Sequence, residues 1–414
     1  MNLDLPVSMR TGATLDVFTA LEAKGGAGCV RFVGGSVRNL IMGLPVSDFD
    51  LSTQLTPDDI EAALDVAGIH HIPTGKVFGT ITAVVGGETY EITSLRRDVE
   101  TDGRRAVVSF TTDWTEDAQR RDFYLNALYA DIRGQVYDPT GKGLEDANAR
   151  VVRFIGEAEQ RIREDYLRIL RFFRFSAAYA QSLDAESLEA CIRLRYGIDG
   201  LSGERLLQEL TKMLVYDGAP VVYNRMWETG IMSRILPGLE YDPVQSAVLT
   251  RMVQATTDIE RRFMALLAQS DEGRLYFDGH VSAVTDVLSR LRVSNRARQR
   301  LEAVVKVRQA LDGGYPLRRA LYEYGREAVT DEVYLTHAQT GADLAGSIAE
   351  LEHMTIPEFP LTARHLMAAG IEAGPYLGQT LKRIEADWCT HDFSQSVIDR
   401  ALDELHKQPK ISGE

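Results

Sequence analysis

Cysteine is scarce in this chain, and long apolar runs are missing altogether. Only Cys29, Cys191 and Cys389 occur in 414 residues. They are odd in number and far apart, which excludes a disulfide framework and any paired-cysteine zinc spacing and points to a reducing compartment. No stretch reaches the ~20 consecutive apolar residues that a membrane span needs. The first ten residues, MNLDLPVSMR, carry an acid and lack the apolar centre of a secretory signal. No membrane partner is expected, and the cytoplasm is the expected location. Repeats, low-complexity tracts and long disordered linkers are absent from the sequence as well. Positive charge is in deficit: 46 Lys and Arg against 60 Asp and Glu leave a formal charge of −14. That excludes a uniformly basic surface but leaves room for a local basic groove.

What is present is the composition of a soluble globular protein, 44% hydrophobic and 26% charged. The length is too great for one hydrophobic core, so several domains are expected. The arginines are clustered. Arg150, Arg153, Arg161, Arg163, Arg168, Arg171 and Arg174 crowd one stretch, and Arg290, Arg292, Arg296, Arg298 and Arg300 another. Solvated helix faces are the plain reading of such clusters.

Residues from about 12 to 145 read as mixed α and β. A helical stretch, Thr14 to Ala23, leads into the apolar run Cys29 to Val33, then Gly34-Gly35, a helical segment and the short strand Asp48–Ser52. Gly79–Val85 and Thr89–Leu95 read as strands joined at Gly86-Gly87. Arg97 to Ala106 is polar, contains Asp102-Gly103 and reads as a mobile loop. Tyr124–Ile132 and Gln135–Tyr137 suggest a hairpin around Gly134. Beyond about residue 150 the strand signals fade. Leu167, Ile169, Leu170, Phe172, Phe173 and Phe175 mark a buried helix, Ser202 starts another, and helical patterning with short Gly/Pro joints continues to the end.

Three groups of residues carry chemistry. In the first, Gly34-Gly35-Ser36-Val37-Arg38 is followed by Ser47-Asp48-Phe49-Asp50. Two glycines between a strand and a helix let backbone N–H groups approach a phosphate, and Arg38 lies one turn on. Asp48 and Asp50 are i and i+2 on a strand, so they share a face, about 6.5–7 Å apart at the backbone. That spacing suits carboxylates holding two divalent metals about 3.5–4 Å apart. Glu91, on a later strand, offers a third carboxylate or an outward-facing strand residue. In the second group, Asp117-Ala118-Gln119-Arg120-Arg121-Asp122 sets two bidentate phosphate donors among acids that can orient them or accept from ribose hydroxyls. In the third, Glu164-Asp165 precedes Arg168, Arg171 and Arg174. Asp165 and Arg168, i and i+3 on a helix, place an acceptor beside donors and can read a base edge, or form an intrahelical ion pair.

In this order, Gly34-Gly35…Arg38, Asp48-x-Asp50, Arg120-Arg121-Asp122 and Glu164-Asp165-x-x-Arg168 resemble the superfamily of class II tRNA nucleotidyltransferases and bacterial poly(A) polymerases, over roughly residues 28 to 240. Between Tyr90 and Phe175 the chain is similar to mitochondrial-type CCA-adding enzymes; beyond about 240 only Gly370 to Leu381 resembles the tail of bacterial members.

The resemblance implies an α+β fold: a polymerase β-like mixed-sheet nucleotidyltransferase head (1–145), a helical neck with the nucleotide-reading motif (146–237), and a helical body and tail that bind tRNA (238–414). It implies addition or repair of the tRNA 3′-terminal CCA from CTP and ATP, without a template. Asp48 and Asp50 would bind two Mg²⁺ ions, with Glu91 as a further catalytic carboxylate. Gly35, Arg38, Arg121 and Asp122 would meet the nucleotide's phosphates or sugar. Asp165 and Arg168 would read the base, supported by Arg171 and Arg174. Asp98–Ala106 matches the family's flexible loop for the change from CTP to ATP; Asp138, Gly141 and Asp146 its connecting element; Gly203-Glu204-Arg205 through Glu209 its later neck motif. No stable protein partner is implied. Asn39 stands where the family usually has Asp, which puts the wiring of Arg38 in question.

Alternatives are a poly(A) polymerase, an enzyme adding only CC or only A, and a non-catalytic RNA-binding protein on the same scaffold. The stretch Thr74 to Thr80 resembles the CCA-adding form rather than the basic, aromatic segment of the polymerases. A small-molecule nucleotidyltransferase would not need the Glu164–Arg168 reader.

Overall fold

A computed structural model describes residues 1–46, 49–102, 105–240, 243–268, 270–271, 274–275 and 281–407. The chain divides into two compact units: Met1–Ser246 with Val281–Arg292, and Ala247–His280 with Val293–Glu414.

The first unit begins with α1 (Ala13–Gly25) and β1 (Val30–Val33), followed by α2 (Gly35–Ile41), β2 (Asp50–Thr53) and α3 (Pro57–Val66). Three more strands follow, β3 (His70–Gly75), β4 (Thr80–Val85) and β5 (Glu88–Ser94). Successive glycines at Gly86 and Gly87, with φ of 61° and 87°, supply the left-handed turn that joins β4 to β5. With β8 (Tyr129–Ala130) and β9 (Val136–Tyr137) these make a seven-stranded sheet of order β3-β4-β5-β2-β1-β8-β9. Only β2 and β5 pair in parallel, which sets Asp50 opposite Glu91.

The polar segment expected as a mobile loop is instead paired backbone. β6 (Arg96–Asp102) and β7 (Arg105–Phe110) form an antiparallel hairpin, from Arg96 opposite Phe110 to Asp102 opposite Arg105, with a bulge near Asp98–Glu100. Val107, Val108 and Phe110 give β7 a strand composition that the charges before Asp102 mask.

Beyond the sheet the unit is helical: α4 (Trp114–Gln119), α5 (Gly143–Ala149), α6 (Ala158–Glu164), α7 (Leu167–Tyr179), α8 (Ala185–Leu194) and α9 (Gly203–Met213). Helix α7 buries Leu167, Ile169, Leu170, Phe172 and Phe173, the apolar face read from the sequence. It packs on α9, and a chain of ring contacts, Phe123–Phe154–Phe172–Phe173, ties it to the region between sheet and helices. Gly203 is required by approach: a Cβ there would lie 1.8 Å from the Arg290 carbonyl oxygen.

The second unit is helical among its described residues, apart from the two-residue pairing of Ser270–Asp271 with Arg274–Leu275. Its long helix Leu317–Thr340 bends at Gly325, whose φ is 83°. Arg300 does not form part of a solvated face. It is an internal cross-link to the fully buried Asp331 at 2.7 Å and to Asp258 at 2.8 Å. No described helix is long and apolar enough to cross a membrane.

Candidate functional site: an arginine-lined cleft

The cleft is built where β1 ends, α2 begins and α7 runs past. Gly34 adopts φ 65°, which a residue with a Cβ rarely tolerates, and its N–H donates to the Leu128 carbonyl at 3.0 Å. This turn lets α2 start immediately and carries Arg38 inward. The Arg38 guanidinium lies over Gly35, where an added Cβ would be 3.7 Å from Nη2. On the sheet, Asp50 opens β2, and Ser52, two residues on and so on the same face, accepts from Arg121 Nη2 at 3.3 Å. Glu91 is exposed and sits on the same face one strand away, opposite Asp50 in the parallel register. Asp48 lies outside the described residues. Among those residues, no three His, Cys, Asp or Glu side chains gather in a way that could hold a metal.

A cleft of about 630 Å³ collects Gly35, Arg38, Asp50, Arg121 and Asp122 from the sheet side, and Asp165, Arg168, Arg171 and Arg174 from the helices. Of the described residues expected to catalyse or to bind the nucleotide, all thus border one volume except Glu91, which is not among its lining.

Carboxylates fix most of the cleft's arginines. Asp117, 1% exposed, accepts from Arg120 at 2.8 and 2.6 Å, from Arg121 at 3.2 and 3.0 Å, and from the Tyr129 hydroxyl at 2.7 Å. Burial alone would raise the Asp117 carboxyl, but Arg121 and Arg120 hold it far below the usual carboxylate range. Asp122 accepts from Arg171 Nη2 at 2.5 Å and from Asn126 Nδ2 at 3.1 Å. Burial opposes its ionisation too, and Arg171 overcomes that, so its pKa is lowered. Arg174 forms an ion pair with Glu209 at 2.9 Å.

The reader pair differs from expectation. Asp165 and Arg168 are not side by side on one helix. Helix α6 stops at Glu164, Asp165 is extended with φ −157° and ψ 108°, and α7 starts at Leu167. Free of the helix, Asp165 accepts from the Leu167 N–H at 3.1 Å and from Arg205 Nη2 at 2.7 Å. Arg168 instead donates to Glu164 and to the Arg161 carbonyl. The intrahelical i, i+3 ion pair is therefore absent, and each partner is held separately at the cleft wall.

Sequence reasoning named Asp117, Arg205 and Glu209 within its motifs without giving them partners. Tyr179 and Tyr216 border the cleft with no motif to mark them. Asn39 keeps the contact that a carboxylate would have made: its Oδ1 accepts from Arg38 at 2.9 and 3.2 Å.

The poly(A) polymerase head domain family matches residues 30–153, and a second family, described as the probable RNA and SrmB-binding site of polymerase A, matches residues 182–242. Fold and cleft thus fall in the nucleotidyltransferase class that contains those polymerases. CCA tRNA nucleotidyltransferase 1, mitochondrial, of Danio rerio is 33% identical over 377 residues, covering 89% of this chain and 85% of that protein. The CCA-adding enzyme of Staphylococcus aureus (strain MRSA252) is 30% identical over 373 residues, covering 86% and 88%. The crystal structure of the Bacillus stearothermophilus CCA-adding enzyme in complex with CTP matches with a TM-score of 0.75 at 25% identity, over 97% of this chain and 98% of that one. The chain belongs to the CCA tRNA nucleotidyltransferase family.

Proposed function

We infer that this protein adds or repairs the 3′-terminal CCA of tRNA, using CTP and ATP without a nucleic-acid template and releasing pyrophosphate. The observation that carries this reading is the single cleft that brings Asp50, the Arg38 and Arg121 guanidiniums and the Asp165/Arg168 pair within reach of one nucleotide. Its partners are the tRNA 3′ end, CTP and ATP. We assign nucleotidyl transfer to the head (1–145), base reading to the neck (146–237) and tRNA contacts to the body and tail (238–414). The cytoplasm is the compartment we propose, in keeping with free, buried cysteines at 29, 191 and 389.

Nucleotidyltransferases generally use divalent metals, and the donors here suit Mg²⁺. Asp50 and Glu91 stand in register on neighbouring strands, and Asp48 precedes Asp50 by two residues in the sequence. Carboxylate oxygens are ligands for hard cations. We assign two Mg²⁺ ions to Asp48 and Asp50, with Glu91 as a supporting carboxylate. Bound there, they supply a lowered pKa at the RNA 3′-hydroxyl and charge neutralisation on the departing pyrophosphate.

Gly35 leaves room for the triphosphate, and Arg38 and Arg121 donate to its oxygens. Asp122 holds Arg171 against the nucleotide and accepts from the ribose. Arg174, braced on Glu209, backs the same wall. Asp165 accepts from the base edge and Arg168 donates to it. A guanidinium carries five N–H donors, so Arg168 keeps donors for the base while Nη1 stays with Glu164. Because Asp165 hangs on Arg205 rather than on a helix turn, a small shift of Arg205 re-aims it between cytosine and adenine.

Replacing Asp165 by alanine is therefore expected to admit UTP and GTP while triphosphate affinity changes by less than about threefold, one hydrogen bond's worth. Single-turnover assays with each nucleotide read both, and continued full exclusion of UTP and GTP refutes the reader assignment. The main test is incubation with tRNA ending at its discriminator base, with CTP and ATP singly and together, followed by sequencing of the ends. C-C alone with CTP and a terminated C-C-A with both is expected. A growing A tail, C-C with both nucleotides, A addition confined to tRNA already ending in C-C, or no addition replaces this reading with a poly(A) polymerase, a partial adder or a non-catalytic binder.

A further inference from the structure

Arg38 differs from the other arginines that border the cleft. Arg120, Arg121, Arg168, Arg171, Arg174 and Arg205 each have a carboxylate within ion-pair distance. Among the described residues Arg38 has only neutral hydrogen-bond acceptors: Asn126 Oδ1 at 2.5 Å, Asn39 Oδ1 at 2.9 and 3.2 Å, and the Tyr179 hydroxyl at 2.6 Å. Yet it is 5% exposed. A buried guanidinium stays protonated and is costly unless a charge of opposite sign meets it, which marks the position as awaiting an anion from the ligand.

Two neighbours set where that charge points. Asn39 is itself fixed, because its Nδ2 donates to the Pro45 carbonyl at 2.9 Å, a bond that a carboxylate in its place cannot make. This turns Oδ1 toward Arg38 without neutralising it. Tyr179 ends α7 and approaches from the helical side. Its hydroxyl accepts from Nη2, and its ring lies under the guanidinium, 3.9 Å from centroid to Cζ. Hydrogen bond and ring face together define the plane of the fork, which asparagine alone does not. Tyr216 stands behind it, with ring centroids 6.2 Å apart, and burial pushes the Tyr179 hydroxyl pKa up, so it stays a neutral phenol.

We propose that Tyr179 is the positioning residue that aims the Arg38 guanidinium at the incoming triphosphate, a role made necessary by the uncharged Asn39 beside it. The proposal rests on the nucleotidyl-transfer reading above. It predicts that Tyr179 acts on nucleotide binding common to both substrates, through phosphates, and not on base choice or on tRNA.

The test compares wild type with Tyr179→Phe, Tyr179→Leu and the double variant Asn39→Asp/Tyr179→Phe, full length, in steady-state assays with CTP and with ATP. Tyr179→Phe keeps the ring and loses the acceptor. It is expected to raise KM for both nucleotides by roughly tenfold or more, the worth of one hydrogen bond to a charged group, with kcat and the tRNA KM within about twofold. Tyr179→Leu, lacking the ring as well, is expected to raise both further. The double variant places a charged acceptor on the same guanidinium and is expected to bring KM back toward wild type. Unchanged KM in Tyr179→Phe overturns the assignment. So does a fall in kcat and tRNA affinity together with a lowered melting temperature, or an absence of rescue. A wild-type protein that adds neither nucleotide fails differently: it removes the functional reading on which the proposal rests.

Discussion

Replacing Asp50 by alanine is expected to slow incorporation of both CTP and ATP by about a thousandfold or more. The proposed metals supply several kcal/mol of transition-state charge stabilisation, and each ~1.4 kcal/mol is tenfold in rate. Asp50 borders the cleft, and the pattern of β2 places it on the face where Ser52 touches Arg121, so the carboxylate faces the cleft and not the opposite layer. Asp50→Asn has nearly the same shape but no charge, and is expected to fail almost as badly, which separates metal binding from packing. Glu91→Ala is expected to be milder, because Glu91 lies one strand over and does not border the cleft. Affinity for tRNA, followed by filter binding, is expected to stay within about threefold in all three, since the phosphate backbone of RNA is bound by cations. An Asp50→Ala enzyme that still turns over at a tenth of the wild-type rate removes the metal assignment.

The second large effect belongs to Asp117, a residue that touches no substrate in the proposed mechanism. Its side chain accepts from two arginines and a tyrosine while 1% exposed. Removing one partner of a buried ion pair leaves the others desolvated without compensation, typically at a cost of ~3–5 kcal/mol. Asp117→Ala is therefore expected to lower the melting temperature of the first unit by about 6–20 °C, at ~2–4 °C per kcal/mol for a unit of this size. It is also expected to raise KM for both nucleotides, because Arg121 loses the carboxylate that orients it. Asp117→Asn keeps the shape and is expected to recover part of the stability and little of the nucleotide affinity.

The pH dependence follows from the direction of the shift. The folded pKa of Asp117 lies below its unfolded value, held there by Arg121 and Arg120 against the opposing effect of burial. Its stabilisation is complete above the unfolded value near ~3.9 and is lost only as pH falls through the lower folded value. Between pH 5 and 8 the difference in stability between wild type and Asp117→Ala is thus expected to be constant. A difference that shrinks steadily from pH 8 to pH 5 shows that the carboxyl titrates in that range and contradicts the ion-pair account.

Much of the site could be read along the chain because its pieces are local. Gly34-Gly35 and Arg38 fall on one turn and the helix it starts, and Arg120-Arg121-Asp122 is a single run. Spacing and residue type suffice for such groups. The strand signals at Gly79–Val85 and Thr89–Leu95 held for the same reason: alternation and a Gly-Gly turn are properties of neighbours. The hairpin Arg96–Phe110 was misread as a loop because its polar first strand gives no alternation against a core. Asp165 was misread because helical spacing was extended across a break, made where Asp165 caps the Leu167 N–H and reaches Arg205, a partner forty residues away.

By itself the sequence determined the class of chemistry: which side chains are acids and arginines, in what order, on which kinds of local element. Those follow from covalent order and short-range periodicity. Only the tertiary structure decided which charge answers which. It gave Asp122 to Arg171, Glu209 to Arg174 and Arg205 to Asp165, and it left Arg38 among neutral oxygens beside Tyr179. Pairing of that kind depends on distance in space between residues 35 to 141 positions apart, where burial makes each match or mismatch of charge count.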